Sequence, residues 1–442
     1  MRPEIKGPLP GPKAKAIIDR DKAVSSPSYI KEYPLCVERG EGSWIYDVDG
    51  NRFLDFMAGI AVAATGHSHP KVVQAIHESS SKFLHICSTD FYYEPFAKLC
   101  EKLAGYYPSM GKKRVYLSNS GAEAVEAAIK LARFHTKRSK ILAFHGAFHG
   151  RTMGAVSLTA SKKKYRAHFG PLLPGVFHVP YSNPFHCPYN HEQEWCEKQC
   201  ECGVKIEENF FKSLTDPSEL AAIFVEPVQG EGGYIFPAKK FLQDLRRICD
   251  ENKILLVFDE VQSGVGRTGE MFAGELYGVA PDIFLSAKGL GSGMPIGAMV
   301  AREDKMTWER GTHGSTYAGN PVCCAAAIAT LEVVEEMLPQ IRKTGEFARA
   351  ALRKLAEKHP VIADVRGKGL MIGVEFLIPS TKKPAGDYVG QLEQLAFQNG
   401  LLLLPCGEST IRIAPPLIIT EDEVTVGMEI LDECLTKLGN PS

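Results

Sequence analysis

The chain has no surplus of charge of either sign. Fifty-one Lys and Arg stand against 52 Asp and Glu in 442 residues, a net of −1. No global field or charged tail therefore points to nucleic acid or to a membrane surface. No apolar run reaches the length of a membrane span. The opening Met1-Arg-Pro-Glu-Ile-Lys runs into Gly/Pro-rich sequence without the apolar core of a signal peptide. Internal repeats and low-complexity segments are also missing. These absences make a cytoplasmic enzyme the expectation. Cysteine is not scarce, but twelve residues scattered through 442 are not the compact disulfide framework of small secreted domains.

What is present is the composition of an ordinary globular protein, 44% apolar and 23% charged. The length exceeds one ordinary core and predicts two or three domains. Residues 42–56, "GSWIYDVDGNRFLDF", alternate and break at Asp49-Gly50, which predicts a hairpin. From about Gly66, helical segments alternate with short apolar runs at 114–117, 140–144, 221–225, 254–258 and 283–285. That alternation predicts an α/β domain with a largely parallel, buried sheet. After about Leu331 a long helix leads to shorter strands near 369–376 and 401–405, a smaller α+β domain. The expected division is 1–65, a segment whose hairpin packs on the small domain, then 66–330 and 331–442.

Ligands of parallel α/β sheets bind beyond the carboxyl ends of the strands, and the residues there are unusual. After 114–117 comes "SNSGAEAVEAAIKLAR", in which Ser118 to Ala122 form a small-residue turn. The helix that follows has apolar Val125, Ala128, Ile129 and Ala132 at helical spacing. Free N–H groups at such a start suit a phosphate; an unliganded Ser/Gly cap fits equally well. After 254–258 comes Asp259, a carboxylate that needs a partner if buried, whether a ligand or an ordinary ion pair. After 221–225, Glu226 and Glu231 flank a glycine turn. After 283–285 comes Lys288, in "FLSAKGLGSGMPIGA", among glycine and small apolar residues that hardly solvate an ammonium. Alone, Lys288 could be a snorkelling surface lysine. Together, a phosphate turn, a buried carboxylate and a desolvated lysine suit one chemistry. The lysine forms a Schiff base with pyridoxal 5′-phosphate while the carboxylate keeps the pyridine nitrogen protonated.

Nine segments in order, among them "NSGAEAVEAAIKLAR", "FHGAFHGRT", "EPVQGEGG", "FDEVQSGVGRTG", "SAKGLGSGMPIGA" and "GSTYAGNPV", closely resemble the class III (ω-amino-acid) aminotransferases. The resemblance runs from about Pro34 to the C-terminus. It implies the fold type I architecture, with a mostly parallel seven-stranded sheet between helices and a smaller α+β domain. It implies that Lys288 is the Schiff-base and proton-transfer lysine and that Asp259 pairs with the pyridine nitrogen. Gln262 would reach the 3′-oxygen, Val261 and Phe148 would sandwich the ring, and Ser120, Gly121 and Ala122 would bind the phosphate. His149 and Glu226 belong to the same cofactor shell. Thr316 would bind the phosphate of a neighbouring subunit in a homodimer or higher homo-oligomer.

For the substrate, the resemblance makes Arg412, in "IRIAPPL", the clamp for the α-carboxylate of glutamate and 2-oxoglutarate. A planar guanidinium suits that group better than lysine would. Glu231 would neutralise Arg412 for ω-amines and swing away for 2-oxo acids. Arg151 would hold the distal carboxylate and Ile60 would line the pocket. This set is more similar to 4-aminobutyrate or acetylornithine aminotransferases than to ornithine-specific relatives. It implies ping-pong transfer from an ω-amino acid, 4-aminobutyrate first, to 2-oxoglutarate. Amino-acid racemases share the fold and most motifs and are the alternative reaction. A catalytically silent relative would not need Lys288. Residues 183–203 depart from the family core and hold Cys187, Cys196, Cys200 and Cys202 with His186 and His191 nearby. Their spacing lacks two Cys-x-x-Cys hooks, so free thiols or a local disulfide are expected rather than zinc or an iron–sulfur cluster.

Overall fold

The computed structural model describes residues 1–441. Its centre is a seven-stranded sheet in the order Lys113–Ser118, Gly297–Arg302, Ile283–Ser286, Leu255–Asp259, Leu220–Val225, Lys140–Phe144, Val176–Val179. Gly297–Arg302 pairs antiparallel with both its neighbours, and every other pairing is parallel. Leu220–Val225, Leu255–Asp259 and Ile283–Ser286 are buried at every position. They are therefore continuous apolar runs rather than alternating ones, as a sheet covered on both faces requires. The helix Gly121–Thr136 covers one face with Ala124, Val125, Ala127, Ala128 and Leu131. Small side chains there let its backbone approach the sheet closely.

The expected hairpin is present. Trp44–Asp47 and Arg52–Asp55 pair antiparallel with Trp44 opposite Leu54, and Gly50 takes the left-handed φ of 85° that the turn requires. Val37–Glu41 joins on one side and Leu401–Leu402 on the other. A third sheet runs Ile362–Lys368, Met371–Phe376, Thr410–Ile413, Leu404–Cys406, all antiparallel. The single strand expected over 401–405 is therefore two strands in two sheets. A run of four leucines has no period to mark the break. It falls at Leu403, whose N–H donates to Tyr33 Oη and whose carbonyl accepts from the same hydroxyl.

The 38-residue helix Pro321–Lys358 starts at Asn320, whose side chain accepts from the Val322 and Cys323 N–H groups. Pro339 lies inside it. In the 183–203 segment, Cys196, Cys200 and Cys202 are buried in the main core. All twelve cysteines are free thiols, so of the two expected states the disulfide is not formed. Among the described residues no group of His, Cys, Asp or Glu is arranged to hold a metal ion. No helix among them is long and apolar enough to cross a membrane.

Candidate active site

A cavity of about 350 Å³ opens at the carboxyl ends of the strands that finish at Ser118, Val225, Asp259 and Ser286. Its size is that of a small-ligand pocket. Ser120, Gly121, Ala122, Phe148, His149, Glu226, Asp259, Val261, Gln262 and Lys288 all line it. Ten residues from five separate stretches of sequence thus meet in one place.

Ser120 is extended and caps the helix Gly121–Thr136 by accepting from Glu123 N. The first N–H groups of that helix keep no intrahelical acceptor. A Cβ on Gly121 would stand 2.8 Å from a Val261 methyl carbon, and one on Gly297 would stand 2.5 Å from the Ser120 carbonyl oxygen. The turn is built from glycine because the neighbouring chain comes this close. The resulting cradle of amide donors fits a phosphate.

Asp259 ends its strand buried, with Oδ2 2.7 Å from His149 Nδ1 and Oδ1 accepting from Val261 N at 3.0 Å. Burial pulls the His149 pKa down, but the hydrogen bond and charge of Asp259 outweigh it and leave it raised. Glu226 accepts from Phe148 N at 2.9 Å and from Gly230 N at 3.0 Å. It fixes two turns of the cavity wall. Burial pushes its carboxyl up to about 7, against the opposing charge of His149. Tyr234 Oη donates to Gln262 Oε1 at 2.9 Å and so sets the amide's orientation.

Lys288 sits at a left-handed φ of 46°, a region costly for a residue with a Cβ and one that recurs at functional sites. Burial, then the charge of Arg412, lowers its pKa to about 8. About a tenth of it is neutral amine at pH 7, far more than for an ordinary lysine, and a nucleophilic or base role draws on that form. With a buried carboxylate and an amide cradle beside it, this donor set fits pyridoxal 5′-phosphate.

Beyond the cavity, Arg412 is buried with its Nη2 2.7 Å from Glu231 Oε2 and 2.7 Å from the Pro405 carbonyl oxygen. Its Nε and Nη1 are buried and unpartnered. Burial raises the Glu231 pKa, but Arg412 and Lys162 overcome this and hold it below the usual value. Arg151 is exposed, with its guanidinium carbon 4.6 Å from the centre of the Tyr165 ring. Ile60 is 45% exposed and lies in four consecutive left-handed residues, Ala58 to Ala61, with φ from 46° to 67°. Asp55 holds this turn by accepting from Met57 N and Ala58 N, both at 2.8 Å. Thr316 is exposed and lies outside the cavity lining; its expected partner is a second chain.

Several contributors went unmarked in the sequence. Val62, Gly150, Ala287 and Gly293 to Ile296 complete the cavity wall with Asn119 of the small-residue turn, and Lys162 and Tyr165 contact Glu231. The charged stretch "SKKKYR" that contains the last two reads as solvated surface. Its only positional signal is that it follows the "FHGRT" turn.

Residues 26–435 match the family model for aminotransferase class-III. An alanine/serine racemase of Pyrococcus horikoshii is 40% identical over 440 residues, covering 98% of this chain and 92% of its own. A 4-aminobutyrate aminotransferase of Escherichia coli K12 is 41% identical over 408 residues, covering 91% and 93%. Among solved structures, an amine transaminase from an uncultivated Pseudomonas species in its PLP-bound form superposes with a TM-score of 0.87. It is 30% identical and covers 99% of both chains.

Proposed function

The chain belongs to the class-III aminotransferases, which are pyridoxal 5′-phosphate enzymes, and from that premise we propose a substrate and a division of labour. The reaction is transfer of an amino group from an ω-amino acid, 4-aminobutyrate in the first instance, to 2-oxoglutarate. The observation that carries this reading is the Arg412–Glu231 pair, closed at 2.7 Å, with the rest of the Arg412 fork unpartnered. A substrate whose amine lies on a terminal carbon brings no α-carboxylate, and Glu231 then keeps Arg412 neutralised. Glutamate or 2-oxoglutarate brings one, which the free Nε and Nη1 can receive.

When bound, pyridoxal phosphate supplies an electron sink for the pair left on the substrate carbon after proton loss. Lys288 would hold it through the amine and then carry the proton at Nζ. Its lowered pKa lets it accept that proton near neutral pH and return it. Asp259 would hold the ring N–H, steadied by His149 and Val261 N. The helix start at Ser120 to Ala122 would hold the phosphate, Val261 and Phe148 would enclose the ring, and Gln262 would meet its 3′-oxygen. Arg151 would take the distal carboxylate and Ile60 would shape the pocket. The active unit is proposed to be a homodimer in which Thr316 serves the other subunit's phosphate. Exposed Phe91, Tyr92 and Tyr317 support a covered face near it.

Racemisation is the second reading, favoured by the 40% identity to a racemase. Single-turnover reactions of the loaded enzyme with single amino acids, followed by cofactor absorbance, test the first reading. Fast reaction with 4-aminobutyrate and with glutamate supports it. Accumulation of D-amino acid from an L-substrate, with little glutamate formed from 2-oxoglutarate, overturns it.

A further inference from the structure

Glu231 is held by two cations. While Oε2 meets Arg412, Oε1 lies 2.7 Å from Lys162 Nζ and accepts from Tyr165 Oη at 3.2 Å. The two contacts come from unlike surroundings. The Arg412 side chain is 4% exposed and also tied to the Pro405 carbonyl, whereas the Lys162 side chain is 32% exposed. Arg412 is the fixed end of this arrangement and Lys162 the adjustable one.

Admission of an α-carboxylate to Arg412, on which this inference rests as part of the proposed function, requires Glu231 to let go. The Glu231 side chain is only 14% exposed. An anion so placed that loses its sole partner is costly. Here it has a second. Oε2 can leave Arg412 while Oε1 stays on Lys162 and Tyr165. A cavity of about 780 Å³ lies next along the chain, lined by Gly232 and Lys162 with Lys163, Lys382, Lys383 and the acidic Glu375 and Glu408. His186 and Arg366 of that cavity are paired with Glu375, and the lysines beside Lys162 leave its lining with more positive than negative side chains.

The geometry points to Lys162, assisted by Tyr165, as the holding site for the displaced Glu231 carboxylate, and hence as a positioning residue that sets affinity for α-carboxylate substrates. Loss of Lys162 falls unequally on the two positions of the gate. With Glu231 on Arg412, the anion still has a full counter-charge. With Glu231 released, only the Tyr165 hydroxyl remains.

The test uses holoenzyme with Lys162→Met, which keeps the stem and removes the charge, and with Lys162→Arg, which keeps the charge. Half-saturation in the glutamate half-reaction, and the calorimetric Kd of glutarate as a non-reacting dicarboxylate, are measured for each. Lys162→Met should weaken both about fivefold or more, the scale of one charge-assisted contact. The maximal glutamate rate and the 4-aminobutyrate half-reaction should stay within twofold, and Lys162→Arg should restore the affinity. In a Glu231→Gln background, Lys162→Met should have no further effect on glutarate. Equal weakening toward both donors, or a glutarate effect that persists without Glu231, would show that Lys162 touches substrate directly and would overturn the assignment. Arg412→Met separates the two levels. If it abolishes glutarate binding while Lys162→Met leaves it unchanged, only the holding role falls. If it leaves binding unchanged, the reading of Arg412 itself fails and the holding role falls with it.

Discussion

Replacing Lys288 by Met should stabilise the cofactor-free protein near neutral pH and lose that advantage as the pH climbs. In the fold the Lys288 amine titrates at about 8, against an ordinary value of 10.5. Below pH 8 the folded protein carries an ammonium that burial disfavours, and the unfolded chain solvates the same group freely. Between 8 and 10.5 the unfolded chain binds more protons than the fold, so stability rises with pH. Above 10.5 both forms are neutral and the contribution vanishes. The gap corresponds to about 3 kcal/mol as an upper bound, since a pKa difference of one is worth about 1.4 kcal/mol. Met has a similar apolar stem and no charge. The expected result is a gain of about 2–3 kcal/mol at pH 7, shrinking to about 0.8 kcal/mol at pH 10 and to within about 0.5 kcal/mol of parent by pH 10.5. Urea unfolding of both apo-proteins at a series of pH values, compared pairwise, cancels the titration of all other groups. A constant difference across the range would refute the claim that the amine is desolvated. A Met variant less stable than parent at pH 7 would refute it more directly.

Three further outcomes are expected. Glu231→Gln leaves Arg412 without its counter-charge for ω-amines, so the 4-aminobutyrate single-turnover rate should fall about 30-fold or more, equivalent to ~2 kcal/mol, while the glutamate rate stays within threefold; equal losses would make Glu231 structural. Asp259→Asn removes the anion beside the ring nitrogen and should cost on the order of 10²-fold in turnover with the cofactor still retained; near-normal turnover would remove Asp259 from the mechanism. Gly121→Ala places a methyl 2.8 Å from Val261 and should weaken cofactor affinity about tenfold through the displaced phosphate turn, read by fluorescence titration; unchanged affinity would mean the cradle is not where the phosphate sits.

Lys288, Asp259 and the Ser118 to Ala122 turn were legible in the sequence because each interrupts an apolar strand at its carboxyl end. A polar residue there is either paired or exposed to a ligand, and the burial of Asp259 beside His149 shows the first arrangement. The roles proposed for Phe148, Gln262 and Arg412 rest on resemblance, since nothing in their local pattern separates them from core or surface. Lys162 was hidden by its neighbours: one lysine in "SKKKYR" reaches Glu231 while Lys163 and Lys164 are exposed. Sheet membership failed where pattern was weakest. Val176–Val179 is a partly exposed edge with a histidine within it, and Gly297–Arg302 opens with glycine and alanine. Both are fixed by pairing to distant strands, which local periodicity does not encode.

The helix Pro321–Lys358 spans about 57 Å at 1.5 Å per residue, and its two ends answer to different neighbours. Glu332 and Glu335 tie the first part to Lys71 and Lys102, on the helices Pro70–Ser80 and Glu94–Gly105. Lys343 and Lys358 tie the second part to Glu421 and Asp432 on the C-terminal helix Glu421–Leu438. Pro339 stands between, and with no N–H it leaves the Glu335 carbonyl without its helical donor. A helix bends most readily where such a bond is missing. The segment beyond it is about 30 Å long, so a tilt of about 5° at Pro339 would carry its far end through roughly 2.6 Å. The Arg412–Glu231 contact spans 2.7 Å between the strand carrying Arg412 and the turn that follows Val225 in the central sheet. The same helix packs on the Lys288–Leu290 turn and on the Ile362–Lys368 and Met371–Phe376 strands of the sheet that carries Arg412.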